Sequence, residues 1–187
     1  MTDAALAPGI PHSPSAIRLL LGKQGIAFDE VLDRHGLNAA RKVQAVLLDD
    51  TVGTLMVLFP QSQLLDLNRL TELTGRRLTA VSTERRVKIL GKHNLSLLPG
   101  LPALTSSPCL YEESLLGEST LLIDSGEPGV WLEVTREDFK TLLTKASAAK
   151  FGETLTSIRP NLDRPDDDRQ EITRAVQAFT ARRIQQR

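Results

Sequence analysis

Cysteine is nearly absent. Cys109 stands alone, so neither a disulfide framework nor a cysteine-rich zinc site can form. Histidine is also sparse: His12, His35 and His93 lie far apart and match no metal-ligand spacing. These residues imply no cofactor and no metal. Aromatic residues make up only 4% of the 187, so base stacking on a row of rings is not advertised. There is no surplus of either charge. Lys and Arg number 23 and Asp and Glu 23, which excludes a binder working by bulk positive charge but leaves room for a local patch. No apolar run approaches the ~20 residues of a membrane span. The opening MTDAALAPGIPHSPS lacks the charged-then-apolar layout of a signal peptide. With 41% hydrophobic and 25% charged residues, the chain reads as a cytoplasmic, reduced, single-core protein.

Residues 1–13 combine prolines with small residues and predict a mobile tail. Ser13-Pro14 opens a helix with Ile17, Leu20 and Leu21 in register, ending near Gly22 and Gly25. FDEVLD (28–33) predicts a short strand and 35–42 a loop or short helix. AVLLDD (45–50) and TLMVLFP (54–60) around Thr51-Val52-Gly53 predict a hairpin of two buried strands. A helix is expected from a Ser62 cap to Thr74, with Leu64, Leu65, Leu67, Leu70 and Leu73 buried and Gly75 as its stop. A strand at 78–81 and a Ser82-capped helix to Leu90 follow, with Val87 and Leu90 facing the core.

The apolar, Pro-rich stretch 92–108 is too long for a passive connector. Strands are expected at 109–113, 119–124 and 130–135, with a helical ESLLG between the first two. A Thr135-capped helix then runs to Lys150, its acids first and its lysines last, as the helix dipole favours. Hairpins mixed with short helices, rather than regular strand–helix alternation, predict a mixed α+β chain. After 152 the composition turns polar. DDDRQEITRAVQAFTARRIQQR predicts a helix with a narrow stripe of Ile172, Val176 and Phe179, which folds back on the domain or contacts another domain or a second copy. The expected organisation is a tail (1–13), one domain (14–152), and a linker with a helix (153–187).

Residues 16 to 145 resemble the bacterial prolyl-tRNA deacylase and YbaK family of aminoacyl-tRNA editing domains. The resemblance is carried, in order, by IRLLLGKQGIAFDEVLD, the hairpin AVLLDDTVGTLMVLFP, QLLDLNRLTELTGRRLTAVSTERRVKILG, LLPGLPAL with PCLYEESLLG, and STLLIDSGEPGVWLEVTREDFKTLL. It implies a YbaK-like mixed β-barrel core with peripheral helices, tRNA or aminoacyl-tRNA as partner, and hydrolysis of the ester of a mischarged tRNA. The tail also resembles the junction at which such a domain precedes an HDOD signalling domain.

The resemblance also assigns the site. The family's lysine position falls on Gln44, or on Ala45 if the register slips, so the usual cation is replaced. Lys42, two residues earlier, points to the same side of an extended strand and is the candidate substitute. In the substrate loop the earlier glycine is Leu95, whereas Pro99, Gly100 and Pro102 keep the pattern. There, backbone N–H groups at Gly100 would hold the scissile carbonyl as an oxyanion hole does. The prolyl branch often carries a His in a Gly-Asp-His-Gly-like turn, and here that turn is Gly126-Glu127-Pro128-Gly129. Arg76, Arg77, Arg85, Arg86, Lys88 and Lys92 form a basic stretch that either tracks an RNA backbone or is a solvated helix face. Two functions are therefore open: a trans-acting deacylase with an altered site, or a silent relative that senses an aminoacyl group, an amino acid or RNA.

Overall fold

The computed structural model describes residues 16–33, 36–95 and 97–154. Its centre is the hairpin of β2 (Val43–Asp49) and β3 (Thr54–Pro60), paired antiparallel from Val43 opposite Pro60 to Asp49 opposite Thr54. β3 has almost no polar residue because both of its faces are covered. Met56 and Leu58 enter the larger core with Ile17, Leu21, Leu132 and Phe139. Leu55, Val57 and Phe59 enter a second core with Leu70, Leu78 and Phe151.

The hairpin heads a five-stranded sheet in the order β5-β2-β3-β6-β9, where β5 is Thr79–Ala80, β6 Cys109–Glu112 and β9 Ala146–Ala149. β6 runs parallel to both β3 and β9. A second sheet sets β1 (Asp29–Leu32) and β7 (Thr120–Asp124) on either side of β8 (Val130–Thr135), all antiparallel. The two sheets meet at one parallel bridge, Lys42 to Leu122, where the Leu122 N–H donates to the Arg41 carbonyl at 2.8 Å. A two-stranded ribbon joins β4 (Gln63–Leu65) to β10 (Gly152–Thr154). The expected mixed class is realised as these three sheets with helices outside.

Helix α1 (Ala16–Lys23) buries Ile17 and Leu21. α2 (Leu67–Thr74) starts later than expected, because 63–65 pair with β10; its cap is Asp66, not Ser62. Asp66 accepts from the Asn68 and Arg69 N–H groups at 2.8 and 2.9 Å. Of the expected leucine stripe only Leu70 is fully buried, while Leu64, Leu67 and Leu73 are 47%, 45% and 46% exposed. Gly75 ends the helix in the left-handed conformation at φ 65°.

α3 (Thr83–Gly91) is capped by Ser82 as expected, but Val87 lies outward, 61% exposed, and the left-handed residue after the helix is Asn94. Within 92–108 sits α4 (Pro102–Thr105). α5 (Arg136–Leu142) is capped by Thr135 and stops well short of 150. The stretch Ala146–Ala149 favours helix in isolation, but pairing with β6 makes it a strand. Glu112 closes the domain: its buried carboxylate accepts the Phe151 and Gly152 N–H groups at 2.6 and 2.7 Å. The compact unit holding all described residues ends at Thr154, so the expected boundary at 152 cuts β10. The tail, the Ser13-Pro14 helix start and the stripe of Ile172, Val176 and Phe179 lie outside the described residues.

Candidate active site

Lys42 stands where β2 begins, at the seam between the two larger sheets, and is 8% exposed. Its ammonium donates to Asp33 Oδ1 at 2.9 Å and lies 5.0 Å from the centre of the Trp131 ring. Asp33 follows β1, and its own N–H donates to the Gly129 carbonyl at 2.7 Å. β8 alternates, sending Leu132 and Val134 into the core and leaving Trp131 and Glu133 for the other face. Glu133 Oε1 and Thr120 Oγ1 each accept from Arg41 Nη2 at 2.5 Å. Two successive cations at the head of β2 are thus held by side chains from β7, β8 and the residue that follows β1.

Gln44 does not share that setting. Its side chain is exposed on β2, opposite Phe59 in the pairing, while Lys42 is enclosed. The cation at the head of the strand is therefore Lys42, and Gln44 contributes no enclosed polar group.

The expected loop packs on the inner face. Pro99, Gly100 and Pro102 are buried. A Cβ on Gly100 would lie 2.6 Å from Val43 Cγ1, so only glycine permits this approach. Leu95 packs on the turn after β7: a Cβ on Gly126 would lie 2.7 Å from Leu95 Cδ2 and 3.3 Å from Ile17 Cδ1. Gly126 and Gly129 both adopt positive φ, at 81° and 75°. Val43 and Lys42 leave β2 on opposite sides. The loop touches the 124–130 turn through Leu95 at Gly126, and Asp33, the partner of Lys42, is bonded to the same turn at Gly129 through its backbone N–H. Arg18 braces that turn, donating to Glu127 at 2.6 Å and to Glu30 at 2.7 Å. Within the turn, burial pushes the Asp124 carboxyl above its usual range, against the Gly126 N–H that it accepts at 2.7 Å.

The six basic residues divide. Arg76 is spent on the β2–β3 turn: Nε and Nη2 donate to Asp50 at 2.9 and 2.6 Å, and Nη2 also reaches the Gly53 carbonyl at 2.6 Å. This guanidinium holds the Asp50 carboxyl well below the usual carboxylate range. Arg85 binds Asp49 and, at 2.8 Å, Thr54 Oγ1. Arg77, Arg86, Lys88 and Lys92 are exposed. Cys109 is buried, and that burial pushes its thiol up to about 12, so it is no nucleophile at neutral pH. Among the described residues no group of three or more His, Cys, Asp and Glu is placed to hold a metal. No helix among them is long and apolar enough to cross a membrane.

The family model for the aminoacyl-tRNA editing domain matches residues 25–142. The chain belongs to this family. The editing domain is also similar to solved structures. A candidate signal transduction protein from Marinobacter aquaeolei VT8 shares 26% identity at a TM-score of 0.74, over 87% of this chain and 36% of that one. A candidate trans-editing enzyme for prolyl tRNA synthetase shares 23% identity at a TM-score of 0.59, over 76% of this chain and 99% of that one. A hypothetical protein shares 16% at a TM-score of 0.61, over 73% and 99%. Below 25% identity the last two carry the fold alone. No curated protein matches the editing domain by sequence.

Asp33 and Trp131 escaped the sequence reading. Trp131 is the only tryptophan, and the alternation of β8 already put it off the core face. Asp33 carried no such signal, because only the pairing of β1 with β8 brings it to Lys42.

Proposed function

We propose that the domain hydrolyses, in trans, the ester joining an amino acid to the wrong tRNA, with Lys42 taking the role that the resemblance assigned to position 44. The observation that carries this reading is the enclosed Lys42 ammonium, aimed by Asp33 and backed by Trp131 at the head of β2. In the reaction a water oxygen attacks the ester carbonyl carbon, and the carbonyl oxygen takes up negative charge. The carbon–oxygen bond to the ribose then breaks, and a proton passes to the departing ribose oxygen. An ammonium fixed in a partly dry setting stabilises the developing oxyanion without reorganising. Asp33 is a positioning residue that orients the ammonium.

A second reading is favoured by a separate observation. The Gly100 loop lies directly on Val43, and a similar structure, of which this chain covers 36%, is that of a candidate signal transduction protein. On that reading the domain binds an aminoacyl group, an amino acid or RNA without chemistry.

A panel of mischarged tRNAs, assayed for amino acid release beside an active family member, separates the two. Release that Lys42→Ala abolishes and Gln44→Ala leaves intact supports hydrolysis. Absence of release above background, with ligand binding retained, supports the sensor.

A further inference from the structure

α3 buries a single residue, Leu90, of its nine. It is held by its Ser82 cap and by the bonds of Arg85 to Asp49 and Thr54. On its outer side Lys88 and Lys92 stand at i and i+4, a spacing at which like charges repel. Arg86 is exposed on the same helix, and Arg77 lies just after α2. Among the described residues none of these four cations has a side-chain hydrogen bond or ion pair. The one nearby acid on the helix, Glu84, sits in its first turn with a carboxyl held low by the helix-start N–H and the Ser82 hydroxyl. Asp49 and Asp50 on this side pair with Arg85 and Arg76, and Asp49 Oδ1 has no hydrogen-bond partner. Arg77 also lines a shallow cavity of about 370 Å³, whose wall includes Asp49, Asp50 and Arg76 beside Thr51, Gly75 and Thr79.

We infer that Arg77, Arg86, Lys88 and Lys92 form the surface that binds the phosphodiester backbone of an RNA, with Arg76 and Arg85 as internal braces that do not touch it. Lys88 and Lys92 repel one another, and exposed cations without acid partners gain most from a polyanion that displaces its own counterions. The inference rests on the reading of the substrate as a tRNA ester and assigns the part of the domain that grips the nucleic acid rather than the ester.

The test measures binding of uncharged tRNA by fluorescence anisotropy across a salt series. The variant is Arg77→Gln, Arg86→Gln, Lys88→Gln and Lys92→Gln combined, with Lys140→Gln plus Lys150→Gln as the control. All six positions are exposed, so both variants fold, as circular dichroism checks. The four-residue variant should bind on the order of 100-fold more weakly at low salt. Its salt slope should shrink by about 3, at ~0.7–0.9 for each phosphate that is no longer neutralised. The control should match wild type. Unchanged affinity and slope in the four-residue variant, or no tRNA binding by wild type, overturns the inference. So does an acidic peptide that competes as well as tRNA does, which would make the partner a protein. The readout needs no hydrolysis. If wild type releases no amino acid yet the variant loses tRNA binding, the Lys42 chemistry fails while this surface stands.

Discussion

The two ends of β2 both bring opposite charges together, but in different ways. At its far end Asp49 and Asp50 meet Arg85 and Arg76, and Arg76 closes the hairpin turn with three hydrogen bonds. Each of those charges faces an opposite charge within the fold, with only Asp49 Oδ1 left buried without a hydrogen-bond partner. At its near end Lys42 has one carboxylate, Asp33, and an aromatic face. An ammonium offers three donors, so one acceptor and one ring leave capacity for an oxygen from outside. Charge pairing alone therefore does not mark a site; the donors left over do. By that measure the far end is a clasp and the near end the proposed place for chemistry.

The largest expected effect breaks the near end. Lys42→Ala should lower amino acid release by about 100- to 1000-fold, the usual cost of removing one oxyanion donor. Single-turnover deacylation measures it, and a variant still releasing at the wild-type rate would move the chemistry elsewhere. Asp33→Asn should lower release less in the same assay, since only the aim of the ammonium changes.

The next effect breaks the clasp. Arg76→Gln should lower the melting temperature at pH 7, whereas the adjacent Arg77→Gln should not. Asp50 has a depressed folded-state carboxyl, so its stabilisation is present above its unfolded value of about 4 and fades as pH falls below it. The gap in melting temperature between Arg76→Gln and wild type should narrow below about pH 4, as scanning calorimetry would record. A gap independent of pH would mean that the Asp50 pair is not its source.

A smaller effect sharpens the middle of the comparison. Gly100→Ala should cost about 1–3 kcal/mol in denaturant unfolding, the range for forcing a methyl group into packed space. Val43→Ala in the same chain should recover part of it, because Val43 Cγ1 is the atom in the way. The smallest concerns Gln44. Its exposed side chain should be replaceable by Ala within about 0.5 kcal/mol.

The sequence made the apolar run of β3 legible, together with the Ser82 and Thr135 caps and the Gly75 stop, because each is a local rule. It hid β4, β9 and β10. The first and last are three residues long and define each other only across the whole domain, and Ala146–Ala149 carries a helical composition that pairing overrides. The site follows the same division. Lys42 could be named because it sits beside a recognisable strand. Its partners could not, since Asp33 and Trp131 reach it from β1 and β8 through tertiary pairing alone. The basic stretch was visible as composition. Its separation into braces and free cations was not, since Asp49 and Asp50 precede it in another strand.

Glu112 makes the domain depend on residues beyond the family-matched stretch. That stretch ends at Leu142, yet the two N–H groups that the buried Glu112 carboxyl accepts belong to residues 151 and 152. A copy cut at 142 would keep the family's span and lose the donors that tie the last strands to β6.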